Sequence, residues 1–102
     1  MSLAHDEIEL VGGWIKKDGR MIADDVCRRI ETLIGSELLR VANSRSGWEM
    51  LYRDPQDGRF WELYYPLGEM HGGGPPALRV LDRNEVHQKY GLEIQNVRFF
   101  EH

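Results

Sequence analysis

The feature that most limits how this chain can fold is the turn Asp54-Pro55-Gln56-Asp57-Gly58-Arg59, set between two runs of alternating residues. Proline presets the first turn position, Gly58 suits the left-handed one, and aspartates stabilise turns through their side chains. If Asp54 pairs with Arg59 across the connection, a β-hairpin register follows. Tyr52 then faces Trp61, Met50 faces Leu63, and Trp48 faces Tyr65. Side chains alternate along a strand, so these six share one face. That face, with Trp48, Tyr52 and Trp61, is expected to be core. The other face carries Glu49, Leu51, Arg53, Phe60, Glu62 and Tyr64 and reads as mixed and part-exposed. A one-residue slip would exchange the two faces, so the register is a sharp expectation.

The flanking segments supply the rest of an α+β domain. Ile8-Glu-Leu-Val and Trp14-Ile-Lys read as one hairpin arm, interrupted at Gly12-Gly13 by a bulge or a close backbone approach, and Asp18-Gly19 reads as its two-residue turn. Asp24 is placed to cap a helix, with Asp25 in its first turn and Val26, Ile30, Leu33 and Ile34 forming an apolar stripe that Gly35 should end. Cys27 lies at the edge of that stripe and reads as a buried small hydrophobe, since burial raises a thiol's pKa. Strands are expected near Leu38–Ala42 and Leu78–Leu81. Asp82-Arg-Asn-Glu85 has capping-box spacing, with Leu81 and Val86 as a hydrophobic staple, for a helix ending at Gly91. Glu93–Phe100 reads as a final strand or extended tail. The expected architecture is a small, mainly antiparallel sheet built from hairpins, with two helices packed on it.

At 102 residues the chain is expected to form one domain, residues 1–102, with a core of about 8–91 and a C-terminal strand or tail at 92–102. Met1-Ser2-Leu3 receives no structural weight. No basic n-region opens the chain, no apolar run approaches a membrane span, and the single cysteine allows no intrachain disulfide; a cytoplasmic setting is expected. Seventeen acids against thirteen bases give a net charge of −4, which argues against a nucleic-acid binder and suits a basic protein partner.

Catalytic chemistry has little support. His71-Gly72-Gly73-Gly74 has the look of an esterase oxyanion loop, but no Gly-x-Ser-x-Gly elbow accompanies it, and the chain is too short for that fold. The glycines also lack the Lys-Ser/Thr ending of a phosphate loop. Glu69 and His71 could ligate a metal with His87 or His102, yet four scattered histidines make no zinc constellation, and solvated roles are preferred. No metal or cofactor is expected. Tyr64, Phe60 and the loop around Met70 are the better surface candidates, because Tyr, Trp, Met and Arg favour protein interfaces.

The run Leu51-Tyr-Arg-Asp-Pro, with Asp57-Gly-Arg, Trp61-Glu, Tyr65-Pro66, Glu69 and His71-Gly-Gly-Gly-Pro-Pro, resembles the immunity protein 27 family of bacterial polymorphic toxin systems. The Asp24-Asp-Val-Cys-Arg-Arg-Ile-Glu helix and the Trp14 strand resemble it too, so the likeness spans roughly residues 8–91. The resemblance implies a non-enzymatic cytoplasmic protein that binds a cognate toxin domain and blocks it sterically. Acidic charge and family habit point to a nuclease as that toxin. The expected interface is the loop 67–76 with the outer face of the central hairpin: Glu49, Glu62, Tyr64, Glu69 and His71, with Asp24 and Asp25 at the helix start. The alternatives are a small metal-dependent or hydrolytic enzyme centred on Glu69 and His71, and a generic protein-interaction domain.

Overall fold

The computed structural model describes residues 3–68 and 74–91. Five strands form an antiparallel sheet in the order β1 (Glu9–Val11), β7 (Ala77–Leu81), β6 (Phe60–Tyr64), β5 (Met50–Arg53) and β4 (Leu39–Asn43), and β2 (Trp14–Lys17) pairs with β3 (Arg20–Ala23) in a separate two-stranded sheet. Two α-helices complete the described fold, α1 (Asp25–Thr32) and α2 (Arg83–Tyr90). The class is α+β, as expected.

The central hairpin holds the expected register, with Tyr52 opposite Trp61 and Met50 opposite Leu63. The Asp54 amide donates to the Arg59 carbonyl at 2.9 Å, and Gly58 sits at φ +78. Asp54 and Asp57 both act as turn-formers, accepting from the Gln56 and Arg59 amides. On β6, Trp61 and Leu63 point to one side, where Leu3, Ile30, Leu33, Leu38, Tyr52 and Leu78 complete a core under α1.

Alternation predicts which residues share a face but not what covers it. The second face was expected to be part-exposed. Instead Leu51, Phe60, Leu81 and Val86 form a second core there, with Tyr90 packed against it, so α2 covers this side. Glu62 lies on the same face and is fully buried. Trp48 departs in the opposite sense. β5 begins only at Met50, and the indole stands 62% exposed.

Other boundaries moved for local reasons. The first arm does not run on as one strand. β1 pairs with β7 and β2 with β3, so Gly12-Gly13 is the switch between two sheets. The Gly12 amide donates to the Pro76 carbonyl at 2.9 Å, and a Cβ on Gly12 would lie 2.6 Å from both that oxygen and Cys27 Sγ. Gly35 does not end the first helix. Leu33–Glu37 continues it as a π-helical turn closed by the Leu38 amide on the Leu33 carbonyl at 2.8 Å. The wider turn lets Leu33 and Leu38, five residues apart, both reach the core. The Asp24 cap and the Asp82/Glu85 capping box form as expected.

Leu3, which was given no weight, is buried in the α1-side core. Its segment is clamped by two arginines. Arg29 grips the Glu7 carboxylate with two 2.6 Å bonds, and Arg59 donates to the Glu7 and Ala4 carbonyls at 2.6 and 2.9 Å. The expected strand or tail at 93–100 lies outside the described residues.

Two predictions follow from this packing. Gly12→Ala should destabilise the fold by about 2 kcal/mol, because backbone and a buried thiol must both move; urea denaturation would read it, and an unchanged midpoint would refute the close approach. The bond from Arg29, with help from the Ala4 amide, holds Glu7 down at about 2 from its ordinary 4.5. A depressed carboxylate adds stability above its unfolded pKa and loses it as pH falls through the folded one. Stability should therefore fall between pH 4.5 and about 2. Glu7→Gln should lose about 2 kcal/mol at neutral pH and flatten that decline in pH-dependent unfolding.

Candidate functional site

The Ser44–Gly47 turn delivers the most exposed element of the site. Ser44 accepts the Gly47 amide on its carbonyl at 3.1 Å and donates its own amide to the Glu49 carbonyl at 2.9 Å. Its hydroxyl lies 3.0 Å from that of Ser46, which accepts the Trp48 amide. These bonds fix the backbone so that Trp48 projects outward just ahead of β5. Opposite it, β6 ends at Tyr64, Tyr65 follows it, and the turn at 66–68 opens the Gly/Pro loop. Together Ser46, Trp48, Glu49, Tyr64, Tyr65 and Gly68 line a cleft of about 400 Å³. The loop is pinched at its base. Gly74, at φ +74, packs so closely on Leu67 that a Cβ would meet the Leu67 oxygen at 2.8 Å.

Beneath the cleft runs a charged network. Glu62 on β6 stands directly opposite Arg79 on β7, and Arg79 reaches its Oε1 through Nε at 2.9 Å and Nη2 at 2.7 Å. The other oxygen accepts from the Tyr90 hydroxyl at 2.7 Å and from Lys89 at 2.9 Å. Lys89 also binds Glu49 at 2.8 Å, which ties the cleft wall to the buried carboxylate. On the other side Arg79 lies 4.2 Å from the Tyr64 ring centroid, and the Tyr64 hydroxyl donates to Glu9 at 2.5 Å.

The electrostatics hold Glu62, Arg79, Lys89, Tyr64 and Tyr90 in their ordinary charge states. Burial opposes ionisation of Glu62, but bonds from Lys89, Tyr90 and Arg79 outweigh it and hold the carboxyl below the usual range. Burial and the bond to Glu9 push Tyr64 up to about 12, and burial with the bond to Glu62 pushes Tyr90 higher still. These shifts move Glu62, Arg79, Lys89 and both tyrosines away from neutral pH, so these five groups keep fixed charge states there.

Of the residues expected at an interface, Glu49, Glu62 and Tyr64 come together, with Glu62 behind the surface. Glu69 and His71 lie outside the described residues. Asp24 and Asp25 stand at the start of α1, which covers the opposite face of the sheet. Asp24 caps that helix through the Cys27 amide, a bond that also lowers its pKa; Asp25 pairs loosely with Arg28 at 3.8 Å. Cys27 is buried, and burial with the nearby Asp24 raises its thiol pKa. Among the described residues no three His, Cys, Asp or Glu side chains group as a metal site.

Sequence reasoning missed Trp48 as a surface residue and missed Arg79, Lys89 and Tyr90. A charged residue inside the apolar run Leu78-Arg-Val-Leu81 was the available signal for Arg79. Reading it needed the β6–β7 register, which crosses a long loop.

Removing the buried charge should separate scaffold from surface. Glu62→Ala should cost about 3 kcal/mol, the lower end for a broken buried pair because Arg79 and Lys89 keep access to solvent. Trp48→Ala should stay within about 0.5 kcal/mol of wild type. Chemical denaturation of both variants would check this, and equal losses would refute the division.

The described helices include none long and apolar enough to cross a membrane. No curated protein and no solved structure matches the chain. The model of the immunity protein 27 family matches residues 16–82, which run from within β2 through β3, helix α1 and the central hairpin to the end of β7. By that match, spanning well over half its length, the chain belongs to the immunity protein 27 family.

Proposed function

We propose that this chain neutralises a cognate toxin domain of a bacterial polymorphic toxin system, in the cytoplasm of the producing cell, by seating on it and covering its working surface. The observation that carries this reading is the cleft beside the Gly/Pro loop. It offers an exposed indole, two tyrosines and a carboxylate on a rigid base. Aromatic side chains backed by a fixed scaffold lose little conformational freedom on binding and serve as anchors. Membership in an immunity protein family supplies the kind of partner.

In this reading Trp48, Tyr64 and Glu49 touch the toxin, with Glu69 and His71 contributing from the adjoining loop. Asp24 and Asp25 form a separate acidic contact at the start of α1. Glu62 acts from beneath by holding Lys89 and Arg79, which in turn hold Glu49 and the Tyr64 ring. The toxin is proposed to be a nuclease, since a net charge of −4 lets the chain stand in for nucleic-acid phosphates.

The test is co-expression with the toxin domain encoded beside this gene, then calorimetry on the purified pair. Wild type should bind and abolish the toxin's activity. Trp48→Ala should weaken binding at least about tenfold, or 1.4 kcal/mol, at an unchanged melting temperature. Undiminished affinity would remove the cleft from the interface, and a toxin that leaves nucleic acids intact would remove the nuclease assignment.

A further inference from the structure

The hairpin β2–β3 takes no part in the cleft or its network, and its composition is opposite to that of the molecule carrying it. Residues 14–23 hold three cations, Lys16, Lys17 and Arg20, against one acid, Asp18, for a net +2. The whole chain is −4, so the remainder carries −6. All three cations are exposed, and none forms an ion pair among the described residues.

Several of its apolar residues are also open among the described residues. The pairs Trp14 with Ala23 and Lys16 with Met21 lie on one face; Ile15 with Ile22 and Lys17 with Arg20 lie on the other. Ile15 is 48% exposed and Met21 is 60% exposed, on opposite faces of the ribbon. Each face thus runs from apolar side chains near the base to cations toward the tip. A two-stranded ribbon is marginal in water, and this one, with apolar residues open on both sides, has no covering layer among the described residues.

The base of the ribbon is nevertheless fixed. The Asp24 amide and Cys27 Sγ both donate to the Gly13 carbonyl, at 3.0 and 3.3 Å, and Gly12 is bound to Pro76. The Asp18-Gly19 turn, at φ +53 and +77, closes the tip with the twist that hairpins favour. The arm therefore projects at a set angle and needs little ordering to bind.

We infer that β2–β3 is a second docking arm, taking an acidic protein surface with an apolar centre on the same toxin domain. This rests on the toxin-binding reading above. Charge selects the occupant. A second copy paired through this arm would bring Lys16, Lys17 and Arg20 against their equivalents, which like-charge repulsion opposes. A nucleic acid would meet a molecule whose remaining charge is −6. An acidic protein patch complements the cations while its apolar centre covers Ile15 and Met21.

The sign of a charge-reversal effect tests this. The probe is the toxin domain encoded beside the gene, with binding kinetics measured at about 50 and about 300 mM salt. Lys16→Glu/Lys17→Glu/Arg20→Glu should weaken binding at least about tenfold, mainly through a slower association rate, with the loss shrinking at high salt. Ile15→Ser/Met21→Ser should speed dissociation at either salt. Circular dichroism should show native folding in both; Lys17→Glu with Met21→Ser replaces any variant that fails this check. Tighter binding by the triple variant would mean a basic patch opposite the arm, and unchanged binding would place the arm outside the interface; either overturns the inference alone. Wild type that binds a short duplex RNA, or dimerises in sedimentation equilibrium, with either property lost in the triple variant, would reassign the arm and overturn it. A folded wild type with no affinity for the toxin would overturn the toxin-binding reading itself.

Discussion

A carboxylate with no solvent exposure sits on the central strand of the sheet, and much of the second face is arranged around it. Burying an ionised group costs several kcal/mol unless its lone pairs are filled and its charge is balanced. Glu62 meets that condition through three residues on two elements: Arg79 on β7, and Lys89 and Tyr90 at the end of α2. Each brings geometry with it. Arg79 can reach only if β6 and β7 pair in this register, and Lys89 and Tyr90 only if α2 lies across the sheet. The capping box at Asp82 and the left-handed Gly91 set where α2 starts and stops, and so which residues its last turn presents. A shift in any element would strand a charge, and for that reason register and helix placement are coupled.

The same arrangement explains what could be read in advance. Local chemistry was legible. The Asp54–Arg59 turn, the alternation beside it and the two aspartate caps each depend on neighbours within a few residues, and each formed as expected. Exposure was not legible. The pattern Glu49, Leu51, Arg53 looks solvent-facing because it mixes charge with apolar groups, yet its middle residue is core once α2 arrives. Glu62 could be placed on a face from the sequence, but its burial depends on partners 17, 27 and 28 positions later, across a Gly/Pro loop. Trp48 illustrates the converse, since the hairpin's alternation puts its indole on the expected core face. Its position ahead of β5, past a serine-bonded turn, takes it out of the alternating register.

Gly35 and Leu3 failed for a related reason. A glycine after an apolar stripe is a good local stop signal, but here the core requirement of Leu38 carries the helical path on through a π turn. Leu3 belongs to no periodic pattern, and two arginines from distant elements fasten its segment down. In both places tertiary contacts decide, overriding a clear local stop at Gly35 and acting at Leu3 where no local pattern speaks.

The buried network also decides what the surface above it can offer. Arg79 and Lys89 are held by Glu62, so their positive charge is compensated locally and does not spread over the cleft. Glu49 is held from one side by Lys89, and the Tyr64 ring is fixed from beneath by Arg79, leaving Trp48 as the wall with the most free surface. A partner docking there would meet pre-set aromatic planes and an anchored carboxylate, with little side-chain entropy left to lose. The β2–β3 arm is built the other way. Its cations have no internal partners among the described residues, so their field reaches outward and acts at a distance before contact. In the proposed complex the two surfaces would do different work, the arm governing encounter and orientation and the cleft governing residence. A toxin carrying the right patch at one site but the wrong sign at the other would be rejected, because discrimination depends on the order of charges along the surface and not on their sum.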